Sequence, residues 1–360
     1  MLSEKGDLSD SSEGYILSQG GSAHPGLLKR YAYRVTRTVK EAIGKGSGGG
    51  IDDPVARQYI PQAEEMRILP EELADPIGDE AYSPVEGVVH RYPDRVLFKP
   101  VSVCAVYCRY CFRREMVGPR AGEPAFLSEE AYAAAMDYIR QNPQIFEVIL
   151  TGGDPLVLSP RRLEEMLREI AAIEHVRIIR IHTRVPLVDP LRVNDALLEV
   201  FQELEKPLYM ALHVNHVQEL TPDVRQAFLR LYKAGVHLLS QSVLLRGVND
   251  DAQALEDLYR ALLGLHVKPY YLHHPDLAPG TSHFRVSIEE GQTLMRALQG
   301  RLSGLGLPQY MLDIPGGFGK VPLTPCYLEA LEGAGRYSVE DYQGRRHVYP
   351  PVVNEDEEYE

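Results

Sequence analysis

A chain of 360 residues, 44% hydrophobic and 25% charged, has the composition of a globular protein with a sizeable core, and it holds no apolar run long enough to cross a bilayer. A formal net charge of -13 argues against a general nucleic-acid binder, because phosphate contacts need concentrated Lys and Arg; nucleic acid and membrane are therefore not expected partners. The opening "MLSEKGDLSDSSEGYILSQGG" lacks the basic start and apolar run of a secretory signal, and four cysteines, three of them clustered, suit a reducing cytoplasmic setting better than a disulfide framework.

Leu27, Tyr31, Val35, Val39 and Ile43 recur at fourfold spacing and predict one amphipathic helix, ended by the flexible glycine run Gly44 to Gly50. Pro-rich, acidic text continues to about Val85, too polar for a core of its own, so residues 1–85 read as an N-terminal helical arm and linker wrapped on the main body. From there β-branched or aromatic runs ("RVLFKPVSV", "FEVILTGG", "VRIIRIHT", "PLYMALHV", "VHLLSQSVLL", "VKPYYLHH", "PQYMLDIPGG") alternate with helical stretches such as "SEEAYAAAMDYIRQ". Such alternation implies a parallel α/β sheet, and about six or seven units fit a partial (β/α)6-type barrel over residues 86–320 better than a doubly wound sheet. Residues 321–360 read as a short C-terminal extension ending in "NEDEEYE", a solvated acidic tail. In barrels of this kind the chemistry collects at the C-terminal ends of the strands.

The stretch "CAVYCRYCFRRE" places Cys104, Cys108 and Cys111 at i, i+4 and i+7. Three small residues on one helix face and an incomplete zinc site are both compatible with that spacing. However, the neighbouring arginines make a poor core helix, and structural zinc takes four closed ligands. Three thiolates leave one position open, which on an iron-sulfur cube means one iron free to bind a small chelating molecule. "TGGD", Thr151 to Asp154, ends a strand, and "DIPGGFGK" leads to Lys320. The latter is not a phosphate-binding P-loop, because Ile314 stands where Gly is required and Val321 where Ser or Thr is. Taken singly, Asp276 or Asp313 reads equally as a cap or a turn residue.

The CxxxCxxC spacing after the first barrel strand resembles the radical S-adenosylmethionine superfamily. Together with "RYPDRVLF", "LTGGDPLVL", "QSVLLRGVND", "DLAPGTSHFR" and "DIPGGFGKVP" in order, it more narrowly resembles the lysine 2,3-aminomutase family. The resemblance implies an isomerase, an intramolecular aminotransferase that moves the amino group of L-lysine from C2 to C3 to give β-lysine. It implies a 4Fe-4S cluster on Cys104, Cys108 and Cys111, with S-adenosylmethionine along Gly152, Gly153 and Asp154 and its nucleoside near Arg184, His213 and Asn215. Pyridoxal 5'-phosphate would be carried by Lys320 as a Schiff base, its phosphate held by Arg91 and Arg95 with Gln241. Arg113 would hold the substrate carboxylate, and Asp276 and Asp313 its distal ammonium, a pair that would repel a glutamate side chain. An electron donor such as flavodoxin or ferredoxin and a homo-oligomeric state also follow from the resemblance. The alternatives are a relative supplying β-lysine for modification of elongation factor P, or one acting on another amino acid. Two departures stand out: beyond the cluster only Cys326 is left over, so the family's structural zinc site, tied to oligomer assembly, is not expected here, and His273 and His274 stand where relatives carry Tyr and Gln.

Overall fold

Six amphipathic helices, Glu129–Gln141, Pro160–Ala171, Asp195–Gln202, Pro222–Lys233, Ala252–Leu263 and Ile288–Leu298, share one start signal. Each follows a side chain that accepts a hydrogen bond from its first turn: Ser128, Ser159, Asn194, Thr221, Asp251 and Ser287 in turn. These caps satisfy backbone donors that a helix start leaves without partners, each contributing about 1 kcal/mol, and they fix where each strand-to-helix loop ends. The computed structural model describes residues 15–44, 50–118, 124–332 and 335–351. Most of the glycine run and the acidic tail lie outside those residues.

Between the helices runs one nine-stranded sheet. Its strands are β1 (Val88–Tyr92), β2 (Arg95–Val101), β3 (Glu147–Gly152), β4 (Ile178–Thr183), β5 (Leu208–His213), β6 (His237–Val243), β7 (Lys268–His273), β8 (Gln309–Asp313) and β9 (Lys320–Pro322). They are hydrogen-bonded in sequence order; β2 to β8 are parallel, and β1 and β9 are antiparallel edges. Sequential parallel strands with helical crossovers form the curl of an incomplete (β/α)6 barrel, as the alternation in the sequence implies. The backbone N–H of Lys320 on β9 donates to Tyr92 Oη on β1 at 2.8 Å, so the two edges meet across the open side.

Strand parity explains why this barrel has an interior space. Outward residues such as Val148, Leu150, Ile179, Ile181, Met210, Leu212, Leu238 and Leu272 are buried against the helices in one apolar cluster. The inward set includes Thr151, Arg180, His182, His213, Gln241 and His273. An interior that serves only packing is filled with branched aliphatics, so polar residues on the inner face mark a cavity instead.

The fourfold repeat from Leu27 to Ile43 is not a single helix, which corrects the expectation from spacing. Helices Pro25–Arg30 and Arg37–Ala42 flank a break: Tyr31 leaves the first in extended conformation, and Thr36 caps the second by accepting from Val39 N at 3.3 Å. Tyr31, Tyr33, Val35 and Thr36 are aromatic or β-branched, weak helix formers whose tertiary contacts override the period. Tyr31 stacks on Arg114 and donates to Glu115 at 2.7 Å. In and after helix Pro54–Tyr59, Val55 and Tyr59 are buried in the apolar cluster of the barrel strands, whereas Ala56 and Ile60 pack with Ile16 and Leu28 in a small cluster of the N-terminal segment itself.

After the barrel, β10 (Leu328–Ala330), β11 (Tyr337–Glu340) and β12 (Arg346–Tyr349) form a separate antiparallel sheet that the sequence pattern does not announce. Arg296 ties it to the barrel through Glu340 at 2.6 Å and Cys326 O at 2.7 Å. Among the described residues no helix is long and apolar enough to cross a membrane.

Candidate active site

The cysteines lie on the loop that leaves β2, in irregular backbone, so their spacing does not realise a helix face. All three are free thiols. The loop is held from both sides: Arg109 N donates to Gln58 O of the arm at 2.8 Å, and Asp154 N donates to Val103 O at 3.0 Å. A Cβ on Gly153 would stand 2.2 Å from Val103 O, so only glycine lets the "TGGD" turn lie backbone against backbone on the loop. Burial, with Asp154 and the neighbouring sulfurs, raises the Cys104 thiol well above its ordinary range, and burial beside Cys108 pushes Cys111 up to about 11. Among the described residues no three metal-binding side chains converge on one ion-sized point. A cube, whose irons occupy separate corners, asks each sulfur for a different iron.

Four acidic or amide residues far from the motif hold the arginines around it. Glu65 accepts from Arg109 Nη2 at 2.6 Å and from Arg114, with side chains 0%, 1% and 4% exposed respectively. Asp79 bridges two arginines: Oδ1 accepts from Arg91 at 3.1 Å, and Oδ2 from Arg113 Nε at 3.0 Å and Nη2 at 2.8 Å. Arg113 Nη1 reaches Thr151 Oγ1 at 3.2 Å. Arg184 donates to Cys108 Sγ at 3.0 Å, to Gln58 at 2.6 Å, and to Tyr110 and Glu219. It thus stands at the sulfur of the second cysteine.

Asp154 accepts from Thr183 Oγ1 at 2.6 Å and from the backbone N–H of Arg184, Val185 and Leu156. Those four bonds occupy its lone pairs and lock the ends of β3 and β4 together. Burial nevertheless raises its pKa, against those four bonds.

A cavity of about 460 Å³ opens inside the curl. It is lined by Cys104, Cys108, Cys111, Arg91, Arg95, Arg113, Gly152, Gly153, Asp154, Arg184, His213, Gln241, Asp276, Asp313 and Lys320, residues separated by up to 229 positions in the chain. Asn215 alone of the sequence-predicted site residues is not on that wall. It is fully buried behind it, donating to Gln58 at 3.0 Å and Tyr110 at 2.7 Å and accepting from Val243 N at 2.9 Å. Its place in the structure is that of a buttress for the strand ends.

At one end of the cavity Asp313 is bonded to the Lys320 ammonium and lies 3.4 Å from His273 Nδ1. Burial opposes its charge, but His273 and Lys320 outweigh burial and hold it below the usual carboxylate range. Asp276 faces the same space, and burial, then the Asp313 charge, raises it to about 7. His273 lines the cavity, whereas His274 is bonded behind it to Tyr310 Oη at 2.7 Å. Burial, then Arg184, lowers His213 to about 3, so that imidazole is neutral.

The residues present fit a polar, anionic ligand set. Four cavity-lining side chains hold a buried nitrogen with no partner: Arg91 Nε, Arg180 Nε, Arg184 Nε and His182 Nε2. A buried donor left so is costly, and all four sit on residues that line the cavity. Arg95 stacks on Tyr92 at 3.8 Å and reaches the same wall. Glu65, Asp79, Gln58 and Glu219 are the functional neighbours that motif reading misses. Arg180 and His182 do leave a signal, as the two polar residues that alternate through the otherwise aliphatic "IIRIHT".

An incomplete (β/α) barrel with three free thiols on the loop after its first parallel strand, facing a cavity lined by arginines, acids and a lysine, is the arrangement that a radical S-adenosylmethionine enzyme needs. Residues 98–259 match the family model described as Radical SAM superfamily. Among curated proteins the chain is 40% identical over 292 residues to "L-lysine 2,3-aminomutase" of Methanococcus maripaludis, covering 81% of this chain and 66% of that one. It is 39% identical over 295 residues to "L-lysine 2,3-aminomutase" of Escherichia coli K12, covering 82% and 84%. It is also 37% identical over 278 residues to "Glutamate 2,3-aminomutase" of Clostridioides difficile, covering 77% and 65%. The chain belongs to the lysine 2,3-aminomutase family. Membership brings a 4Fe-4S cluster and S-adenosylmethionine, and the relatives are named for small amino acids, lysine or glutamate.

Proposed function

We propose that this enzyme moves the α-amino group of L-lysine to C3, giving β-lysine, with pyridoxal 5'-phosphate as its third cofactor. The observation that carries the substrate assignment is the pairing of Asp313 with the ammonium of Lys320, beside a second carboxylate, Asp276, that also faces the cavity. The end of a lysine side chain is the same group that Asp313 already holds, so a substrate ammonium takes that place once Lys320 is engaged elsewhere. A substrate with a distal carboxylate would meet two acids instead, which disfavours glutamate.

When bound, the cluster and S-adenosylmethionine supply hydrogen abstraction by a carbon radical, and pyridoxal supplies a carrier for the migrating nitrogen. The residues of the chain hold and orient. Cys104, Cys108 and Cys111 would hold the cluster through their thiolates. The glycine-tight turn at Gly152 and Gly153 sets the wall beside them.

Lys320 Nζ is the amine for the pyridoxal carbonyl. Arg91 and Arg95, with Gln241, would hold its phosphate, and their shared position on the cavity wall supports that assignment. Arg113, fixed in its rotamer by Asp79 and Thr151, offers its remaining N–H groups to the substrate carboxylate. The barrel walls hold the reacting groups in one position. A one-electron donor of the flavodoxin or ferredoxin class completes the set.

The test is anaerobic reconstitution with iron, sulfide, pyridoxal phosphate, S-adenosylmethionine and a reductant, followed by chromatography after incubation with lysine or glutamate. β-Lysine forms and glutamate is left unchanged if the reading is right. An isomer of glutamate, with lysine unchanged, would overturn the substrate assignment.

A further inference from the structure

His182 lines the cavity with its ring half-buried, and the ring nitrogen turned away from the open space, Nε2, has no hydrogen-bond partner, which leaves the imidazole unanchored. Its position follows from strand register. Leu150 on β3 pairs with Ile181 on β4, so the next residues, Thr151 and His182, stand side by side where the two strands end. Both line the cavity. Thr151 in turn accepts from Arg113 Nη1 at 3.2 Å, which brings the Arg113 guanidinium to the edge on which the imidazole stands.

Arg113 cannot satisfy a substrate carboxylate alone. Its Nε and one Nη2 proton are committed to Asp79, and one Nη1 proton to Thr151. A guanidinium has five N–H donors, so two remain, whereas a carboxylate has about four lone-pair positions to satisfy. Of the other buried nitrogens without a partner, Arg184 Nε lies on a guanidinium that already donates to Cys108 Sγ, and Arg180 is held by Glu147 at 3.0 Å near the start of β3. Arg91 shares Asp79 with Arg113 but is tied to Ile77 O at 2.6 Å. Of these residues, His182 is the one beside Thr151, on the neighbouring strand.

We infer that His182 is a substrate-binding residue, its imidazole N–H donating to the α-carboxylate of the amino acid that Arg113 holds. This rests on the proposed lysine reading for the identity of the ligand. The imidazole is suited to the task because a neutral ring adds a hydrogen bond without a further positive charge beside Arg113 and Arg180. Burial, followed by Arg180 and His213, lowers its pKa well below the ordinary value and keeps it neutral.

The experiment compares two ligands that differ only in the carboxylate, L-lysine and 1,5-diaminopentane, binding to the reconstituted, pyridoxal-loaded protein by anaerobic calorimetry. Wild type, His182→Phe and His182→Gln are measured side by side, with iron content and pyridoxal absorbance as checks on each. His182→Phe keeps the ring but removes the donor. It is expected to weaken lysine about 10- to 100-fold, the worth of a hydrogen bond to a charged group, and to change the diamine less than about twofold.

His182→Gln restores an N–H and should recover most of the loss. In turnover, KM rises while kcat holds, the pattern of an interaction made equally in ground and transition states. Unchanged lysine affinity in His182→Phe, or an equal loss for both ligands, overturns the inference. So does a loss accompanied by missing iron or pyridoxal in Phe and Gln alike, which would make the residue structural. Failure of the wild type itself to bind lysine overturns the lysine reading, a result seen before any variant is compared.

Discussion

Replacing Glu65 tests whether the arm is part of the active-site architecture. Its carboxylate receives Arg109 Nε at 3.0 and 3.1 Å, Arg109 Nη2 at 2.6 Å, Arg114, and Gln62 N at 2.9 Å. Burial would raise its pKa, but the two guanidinium groups outweigh burial and keep it low. Removing one partner of a buried pair costs about 3–5 kcal/mol, and here one carboxylate serves two arginines, so Glu65→Ala belongs at the upper end. Against a total stability of about 5–15 kcal/mol that is a large fraction. Thermal unfolding should fall by roughly 10 °C, from about 2 °C or more per kcal/mol in a large chain.

Arg109 and Arg114 flank Cys108 and Cys111, so reconstituted iron should fall in parallel. Because the folded pKa is lowered, the stabilisation is present above the unfolded value near about 4.3 and is lost as pH falls through the folded one. The difference between wild type and Glu65→Gln is therefore constant from pH 5 to 8 and shrinks only in stronger acid. Differential scanning calorimetry with parallel iron assay checks both points. A Glu65→Ala protein that melts within about 2 °C of wild type and loads full iron would refute the reasoning.

Lys320→Ala should remove the visible absorbance of bound pyridoxal while the cluster spectrum stays, and an unchanged pyridoxal spectrum would reassign the amine. Lysine affinity should rise with pH through about 7 as Asp276 ionises, and Asp276→Asn should flatten that profile. The stability effect has the opposite sense: a raised folded pKa gives a contribution complete below the unfolded value and lost as pH rises through about 7, so Asp276→Asn should melt higher than wild type at pH 8. Gly153→Ala should lower cluster content, because its Cβ would stand 2.2 Å from Val103 O; iron equal to wild type would show that the loop can move.

The chemistry of this site was more legible in the sequence than its support. Cysteine spacing, the glycine-flanked lysine and the strand-end acids are local patterns, and the alternation of strands and helices places them at one end of a barrel. The partners that hold them are not local. Glu65 lies 44 residues before Arg109, and Asp79 lies 34 before Arg113, with no period linking them, because a salt bridge across a fold leaves no trace in spacing. The failed helix at Leu27 to Ile43 has the same origin: Tyr31 is held by Arg114 and Glu115, contacts that no window of local sequence contains. His182 lies between these cases, visible as a polar residue on the inner face of β4 but given meaning only by Thr151 on the neighbouring strand.

The central claim is that an amino group moves within one lysine molecule. It is tested most directly by giving the reconstituted enzyme lysine labelled with nitrogen-15 at the α-amine and carbon-13 throughout, mixed with unlabelled lysine. The account predicts β-lysine in which nitrogen-15 is bonded to carbon-13 at C3, with no nitrogen-15 in unlabelled product and no product without S-adenosylmethionine. Label that stays on C2, or that is shared between the two pools, would contradict it.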